Sequence, residues 1–253
     1  MSTTQPSTCP GPAHQLLDST IRSELHRLDI APSQAVLEIG AGTGEVTIRL
    51  AQLVGPYGSV TAVDTNTSQL TPTSVVDVQR RDLGRELLPG TTDSYDHILA
   101  RWPHGPLRDP VEVVQQMIVR LRPGGSLALA YITSTPPRIY RAPDAEDGHL
   151  IGRVMHQVRC ALVGRDEAQT WTNDIDTLLI DGGMAGHCTH TGIETWTGGG
   201  PGCRLIADIV THLRPTLNGF GDGDVDRFGV LMVDPRVLLT SYERRFIHAN
   251  KAI

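Results

Sequence analysis

The sequence predicts an α/β fold, a doubly wound sheet of parallel strands with helices on both faces and a lid insert, and three observations carry that expectation. Short apolar runs alternate with amphipathic stretches from residue 36 to residue 130, and strands alternating with helices over such a length build a parallel sheet. The first run, VLEIG, passes through three alternating glycines into EVTIRLAQLV, which reads as strand, tight turn and helix in succession. At 253 residues the chain is long enough for one large domain with a sizeable core.

Taken in order, MSTTQPSTCPGPA is rich in Ser, Thr and Pro, and a disordered lead is expected over residues 1–12. A single domain is expected over 13–253. HQLLDSTIRSELHRLDI places Leu16, Leu17, Ile21, Leu25 and Leu28 at helical spacing before Pro32. After the first strand and helix come SVTAVD (59–64), VVDVQRRD (75–82), YDHILARW and SLALAYI as four further strands, with VEVVQQMIVRL as the helix that RPGG stops. The 18 residues from Asp64 to Asp82 hold Pro72 and little helical pattern, so the helix between those two strands is expected to shrink to a turn. From 133 to 170 prolines and charges lead into the helix LIGRVMHQVRCALVG, and the alternation is lost. This is the expected lid or substrate-covering insert. A helix, a glycine-rich turn and a strand follow, then the helix RLIADIVTHLRPTL and a last strand within VLLTSYERRFIHAN.

The formal net charge is -6, and Lys251 is the only lysine among 22 basic residues. That balance supplies no basic face for phosphates, so nucleic acid is not an expected partner. Cys9, Cys160, Cys188 and Cys203 show no C-x-x-C spacing, and free thiols in a reducing cytosol are expected. The first residues show no charged segment followed by an apolar one, and no run approaches the roughly 20 apolar residues of a membrane-spanning helix. A soluble, cytoplasmic protein with no membrane partner is the expectation.

A strand, a glycine-rich turn and a helix N-terminus form a polar-group site, because unpaired N–H groups point outward and glycine lets a ligand approach closely. The spacing narrows the ligand. Dinucleotide loops read G-x-G-x-x-G, whereas here Gly40, Gly42 and Gly44 alternate and Glu45 stands where the third dinucleotide glycine would fall. A carboxylate there repels a pyrophosphate, which argues against a nicotinamide dehydrogenase. The pattern E-x-G-x-G-x-G, with Glu38 in the strand, resembles the first motif of class I S-adenosylmethionine-dependent methyltransferases, whose sheet is Rossmann-like. The resemblance covers 36–130 strongly. It implies S-adenosylmethionine as cofactor, cradled by Glu38, Gly40, Ala41, Gly42 and Gly44. It implies ribose contacts from Asp64, 20 residues past Gly44, with Thr65 beside it, and adenine contacts from Asp82 and Leu83. LRPGGSLAL resembles the family's turn into its fifth strand. GGGPGCRLIADIVTHLRPTL and MVDPR resemble the C-terminal part of a bacterial subgroup that methylates small, natural-product-type molecules.

Methyl transfer is an in-line displacement at a sulfonium carbon, so alignment and exclusion of water matter most, and a histidine base helps a hydroxyl or acidic carbon acceptor. Many relatives carry histidines in the loop after the fourth strand, where this chain has Gly105 and Pro106. His104 and His149 lead the candidates for a base because they lie where the acceptor is expected to enter. His156, His187 and His190 stand behind them. His187-Cys188-Thr189-His190 is thin evidence for a metal, and none is expected. Arg101 is open between a contact to a cofactor or substrate carboxylate and a structural ion pair, Trp102 between a cation–π contact and packing, and Trp171 and Trp196 between a substrate wall and core packing. The reading that follows is methyl transfer to a small-molecule acceptor, with O-methylation of a natural product expected. The alternatives are a rearrangement, cyclisation or decarboxylation on the same fold and a non-catalytic scaffold. A homodimer is one open oligomeric state.

Overall fold

The computed structural model describes residues 15–102, 110–163 and 171–253. Helix α1 (Gln15–Glu24) runs into a 3₁₀ turn, Leu25–Leu28. Strand β1 (Ala35–Ile39) enters the glycine loop, helix α2 (Glu45–Val54) leaves it, and β2 (Ser59–Asp64), β3 (Val76–Arg80) and β4 (Tyr95–Trp102) follow. No helix intervenes between β2 and β3, as Pro72 predicts. Helix α3 (Pro110–Arg120), β5 (Leu121–Ile132), β6 (Ile139–Arg141), α4 (Ala145–Val163) and α5 (Trp171–Asp181) come next. The chain then forms β7 (Met184–Gly192), β8 (Thr195–Thr197), α6 (Pro201–Leu213), α7 (Asp222–Val233), β9 (Leu238–Thr240) and β10 (Arg244–Lys251).

Seven strands form one sheet in the order β3-β2-β1-β4-β5-β10-β7. Strands β1 to β5 pair in parallel, and β10 lies antiparallel between β5 and β7. The expected sheet is therefore parallel except at one side, and the last strand candidate splits into β9 and β10. Chain direction across the sheet reverses between β1 and β4, the switch point where ligands settle in such folds.

Strand alternation sorts the residues. Val36, Leu99, Ala128 and Phe246 face α1 and α2 in one core, while Leu37, Ile98, Leu129 and Ile247 face α3 and α5 in another. A third core joins α4, α6 and α7 to a small sheet, β6-β9-β8. The small sheet and α7 were not foreseen. Helix α7 forms because Val225, Phe228, Leu231 and Met232 share one buried face, and each such side chain contributes about 1.5–3 kcal/mol on burial. The described part of the 133–170 insert is firmly packed. Ile151, Val154, Met155 and Val158 of α4 are buried in the third core, and Asp147 receives a bidentate pair from Arg227 of α7, at 2.8 and 2.6 Å. Among the described residues no helix is long and apolar enough to cross a membrane. The lead and residues 164–170 of the insert lie outside the described residues.

Candidate functional site

The glycine loop sits at the carboxyl end of β1 and is tied to its neighbours. The N–H groups of Gly40 and Ala41 both donate to the Val63 carbonyl, at 2.8 and 3.2 Å, and Gly42 N–H donates to Asp64 Oδ2 at 2.8 Å. Gly40 has φ 75°, and a Cβ there would drive into the Arg101 carbonyl oxygen. A side chain at Gly40 is excluded by both strain and space.

Beneath the loop lies a buried charge pair. Arg101 Nη2 donates to Glu38 Oε1 at 2.6 Å and to the Ala41 carbonyl at 2.9 Å, and Thr47 Oγ1 donates to Glu38 Oε2 at 2.5 Å. The side chains of Arg101 and Glu38 are 1% and 0% exposed. Of the two roles open for Arg101, the structure therefore assigns the ion pair. Arg101 and Glu38 hold the loop from below and have no surface to offer a ligand, which corrects their place among the cofactor contacts.

Asp64 ends β2, buried, with its carboxylate aimed along the loop. It accepts from Gly42 N–H and, through Oδ1, from Asn66 N–H at 2.9 Å and Thr65 Oγ1 at 3.4 Å, which leaves one of its four lone-pair directions, on Oδ2. Thr65 beside it is exposed, and its carbonyl accepts from Arg80 Nε at 3.1 Å. Asp82 follows β3, half-exposed, and shapes a turn by accepting Gly84 N–H at 3.0 Å. Leu83 packs partly into the core beneath. The ends of β2 and β3 are joined by Arg81 N–H donating to the Asp64 carbonyl at 3.0 Å. These groups fit a nucleoside: an acid with free acceptor capacity stands beside a glycine cradle and the first-turn N–H groups of α2, and a second acid with an apolar neighbour stands one strand away.

Next to the loop opens a cavity of about 490 Å³, in the range of small-molecule sites. One wall is α1, through Gln15, Leu16 and Arg22, and Thr43 and Glu45 connect it to the glycine loop. Opposite stand Trp196 of β8 and Pro201, Gly202 and Leu205 of α6. Glu194, Ser241, Tyr242 and Arg244 close it near the carboxyl end of β5, where Arg244 pairs in register with Ile132.

Its charges come in pairs. Arg22 and Glu45 form an exposed ion pair between α1 and α2. Arg244 Nη2 donates to Glu194 Oε1 at 2.7 Å, and Trp196 Nε1 donates to Glu194 Oε2 at 3.1 Å. Burial works against the charge on Glu194, but the hydrogen bonds from Arg244 and Trp196 outweigh it and hold the carboxyl below its ordinary range. Ser241 Oγ accepts from Glu194 N–H at 2.9 Å, and Tyr242 Oη donates to the Met155 carbonyl at 2.8 Å, pinning the chamber to α4. Burial pushes the Tyr242 hydroxyl far upward, so it stays a neutral donor. Gly202 lies against the face of the Trp196 indole, and a Cβ there would land on the ring.

His149 is exposed on α4 and does not line the cavity. His104 lies outside the described residues. His156 is exposed on the same helix, 3.6 Å from Cys160 Sγ. His187 and His190 sit three residues apart in β7 and so face opposite sides of the sheet: His187 Nε2 lies 2.7 Å from Asp176 on the α5 side, and His190 Nε2 lies 3.2 Å from Cys188 Sγ on the other. Trp196 lines the cavity and is also buried in the third core, so both of its readings stay open. Glu194, Arg22, Ser241, Tyr242 and Arg244 were not foreseen. The one cue available was polar and aromatic residues bracketing GGGPG in GIETWTGGGPG.

The fold and the site define an α/β protein of the class I methyltransferase architecture. Residues 36–125 match the family model described as a methyltransferase domain. A ubiquinone/menaquinone biosynthesis C-methyltransferase, UbiE, from Hahella chejuensis is 27% identical over 149 residues, covering 52% of this chain and 60% of that protein. The chain thus spans less than two thirds of that curated relative. A solved structure from Bacillus halodurans, described as a candidate methyltransferase, superposes with TM-score 0.58 at 16% identity over 93% of this chain and 100% of the other. Phosphoethanolamine N-methyltransferase 2 from Haemonchus contortus, in complex with phosphomonomethylethanolamine and S-adenosylhomocysteine, superposes at TM-score 0.53 and 13% identity, over 96% of this chain and 56% of that one.

Proposed function

We propose that the chain is an S-adenosylmethionine-dependent methyltransferase acting on a small-molecule acceptor held in the cavity beside the glycine loop. The observation that carries this is the glycine cradle joined to Asp64 by the Gly42 hydrogen bond at the carboxyl ends of β1 and β2, beside a cavity lined by Thr43 of the same loop and Glu45 of the helix that follows it. Asp64 would take the ribose diol, Asp82 and the Leu83 backbone the adenine, and the glycine loop with the start of α2 the polar remainder. When bound, the cofactor supplies an electrophilic methyl carbon on sulfur. The protein's own part is to fix the loop through Glu38 and Arg101, to seat the acceptor against α1 and α6, and to keep water from the reacting atoms. The likeness to C-methyltransferases of quinone biosynthesis favours a ring carbon of a quinone-type acceptor over the hydroxyl oxygen expected from the sequence.

Isothermal titration with S-adenosylmethionine, with NADH as control, tests the cofactor. Saturable binding of the first alone, weakened about a hundredfold in Asp64→Ala through loss of charge-assisted hydrogen bonds, is the expected result. Absence of binding would sink the proposal. Turnover of a quinol followed by mass spectrometry and proton NMR then separates a C-methyl from an O-methyl product, and turnover without S-adenosylhomocysteine would point to the rearrangement chemistry instead.

A further inference from the structure

Glu194 is an unusual wall for an acceptor chamber: an ionised carboxylate in the tight connection between β7 and β8, 53% exposed on its side chain, with a fixed donor on each oxygen. Resting on the methyltransferase reading above, we infer that Glu194 is the residue that grips the acceptor, and that the chamber takes a neutral, hydroxylated ring compound.

Lone-pair counting supports the grip. A carboxylate offers about four acceptor directions. Arg244 occupies one on Oε1 and Trp196 one on Oε2, so two remain on a side chain that lines the cavity. The two donors also fix its rotamer, and Trp196 is itself fixed because Gly202 leaves room for the indole to lie flat on the α6 backbone. A preorganised acceptor of this kind recognises a hydroxyl with little ordering cost. The two hydrogen bonds that hold its charge also make it a weak base, so it orients the hydroxyl without taking the proton.

Charge balance supports neutrality. Among the described residues the lining carries two arginines and two glutamates, and each arginine is already paired with one of the glutamates. An ionic guest of either sign would surrender its hydration shell and find each opposite charge committed. A neutral hydroxyl needs only the two free directions on Glu194. Leu16, Trp196, Pro201 and Leu205 supply the apolar and aromatic surface that a ring compound buries.

The test compares four probes of one size, namely 1-naphthol, naphthalene, 1-naphthoate and 1-naphthylmethylammonium, titrated calorimetrically into the protein saturated with S-adenosylhomocysteine. Naphthol is expected to bind roughly tenfold or more tighter than naphthalene, the worth of a hydrogen bond to a charged group, and tighter than either ion. Glu194→Leu should erase the preference for naphthol over naphthalene, while S-adenosylhomocysteine binds that variant as it binds the wild type. Equal binding of naphthol and naphthalene, or tighter binding of either ion, overturns the inference, and the wild-type comparison decides this even if the variant fails to fold. Failure of S-adenosylhomocysteine itself to bind the wild type removes the methyltransferase reading and the inference with it. Cofactor binding with the wrong order of guests removes the inference alone.

Discussion

The two halves of the site use charge in opposite ways. Under the glycine loop, Glu38 and Arg101 are sealed from water and joined by Thr47 and the Ala41 carbonyl. In the neighbouring cavity, both members of Arg22–Glu45 are exposed, at 51% and 54%, and Glu194 is 53% exposed beside a buried Arg244. A sealed pair attracts strongly but leaves an intolerable charge when one member is lost. An open pair contributes little to stability, and its carboxylate keeps acceptor directions that the arginine does not fill. The first arrangement suits a loop that must keep one shape, the second a wall that meets a guest through hydrogen bonds.

The sharpest way to break the contrast is Arg101→Met. Removing one partner of the sealed pair should cost about 3–5 kcal/mol of stability and weaken S-adenosylmethionine binding, and the double variant Glu38→Leu/Arg101→Met should recover much of the stability. Urea melts alongside cofactor titration measure both, and a single variant as stable as wild type would show that the pair is no clamp.

Gly202→Ala comes next. The new Cβ must displace the Trp196 indole, at a cost of about 1–3 kcal/mol. It should weaken 1-naphthol binding while leaving S-adenosylmethionine affinity unchanged, and a parallel loss of both would erase the boundary between the halves.

A smaller effect lies at the far end of the sheet. His97 Nε2 is 2.8 Å from Gln34 Oε1, which also accepts from Ala31 N–H, and its Nδ1 is 2.6 Å from Ser126 Oγ. This calls for the neutral ring with the proton on Nε2. Burial lowers its pKa, and nearby His248 adds to that against the pull of Asp96 and Asp29. Burial, with Arg27, lowers that of His248 as well. In each case the unfolded chain takes up the proton first, so stability is complete above about pH 6.5 and falls as pH drops below it. Denaturant midpoints at pH 7.5 and 5.5 should therefore separate more for wild type than for His97→Gln. Equal separations would rule out His97 as a cause.

The least change is expected from Arg22→Ala, at most about 1 kcal/mol, because an exposed pair is screened by solvent. A larger loss in thermal melts would mean that the open pair behaves like the sealed one.

These two halves were also unequally legible in the sequence. The loop residues 38 to 44 are contiguous, each conformational demand falls on a glycine or a strand residue, and Asp64 ends, and Asp82 closely follows, strands whose apolar runs are plain. The strand YDHILARW and the helix EVTIRLAQLV lie where their patterns put them. What remained hidden was the direction of Arg101, because a side chain following a strand can turn inward or outward and only the packed sheet decides. The chamber was hidden for another reason. Arg244 Nη1 lies 3.5 Å from the Leu16 carbonyl across 228 positions of sequence, and no local period links such residues. Helix α7 escaped notice because DGDVDRFGVLMV carries two glycines and three acids, and its helical state is set by the core it covers rather than by propensity. GGGPG follows the same logic, with Gly198 against the Asp234 backbone and Gly202 against Trp196.

The place of β10 has a consequence for how the chain comes into being. It is the last of the sheet's strands in sequence, yet it sits inside the sheet, and β7 has β10 as its sole neighbour in the strand order. During vectorial synthesis the strands β1 to β5 can pair as they emerge, while β7 must wait with both edges open until β10 slides between it and β5. Until β10 arrives, the two cores on the sheet lack Phe246, Ile247 and Ala249, and Glu194 stands without the guanidinium of Arg244.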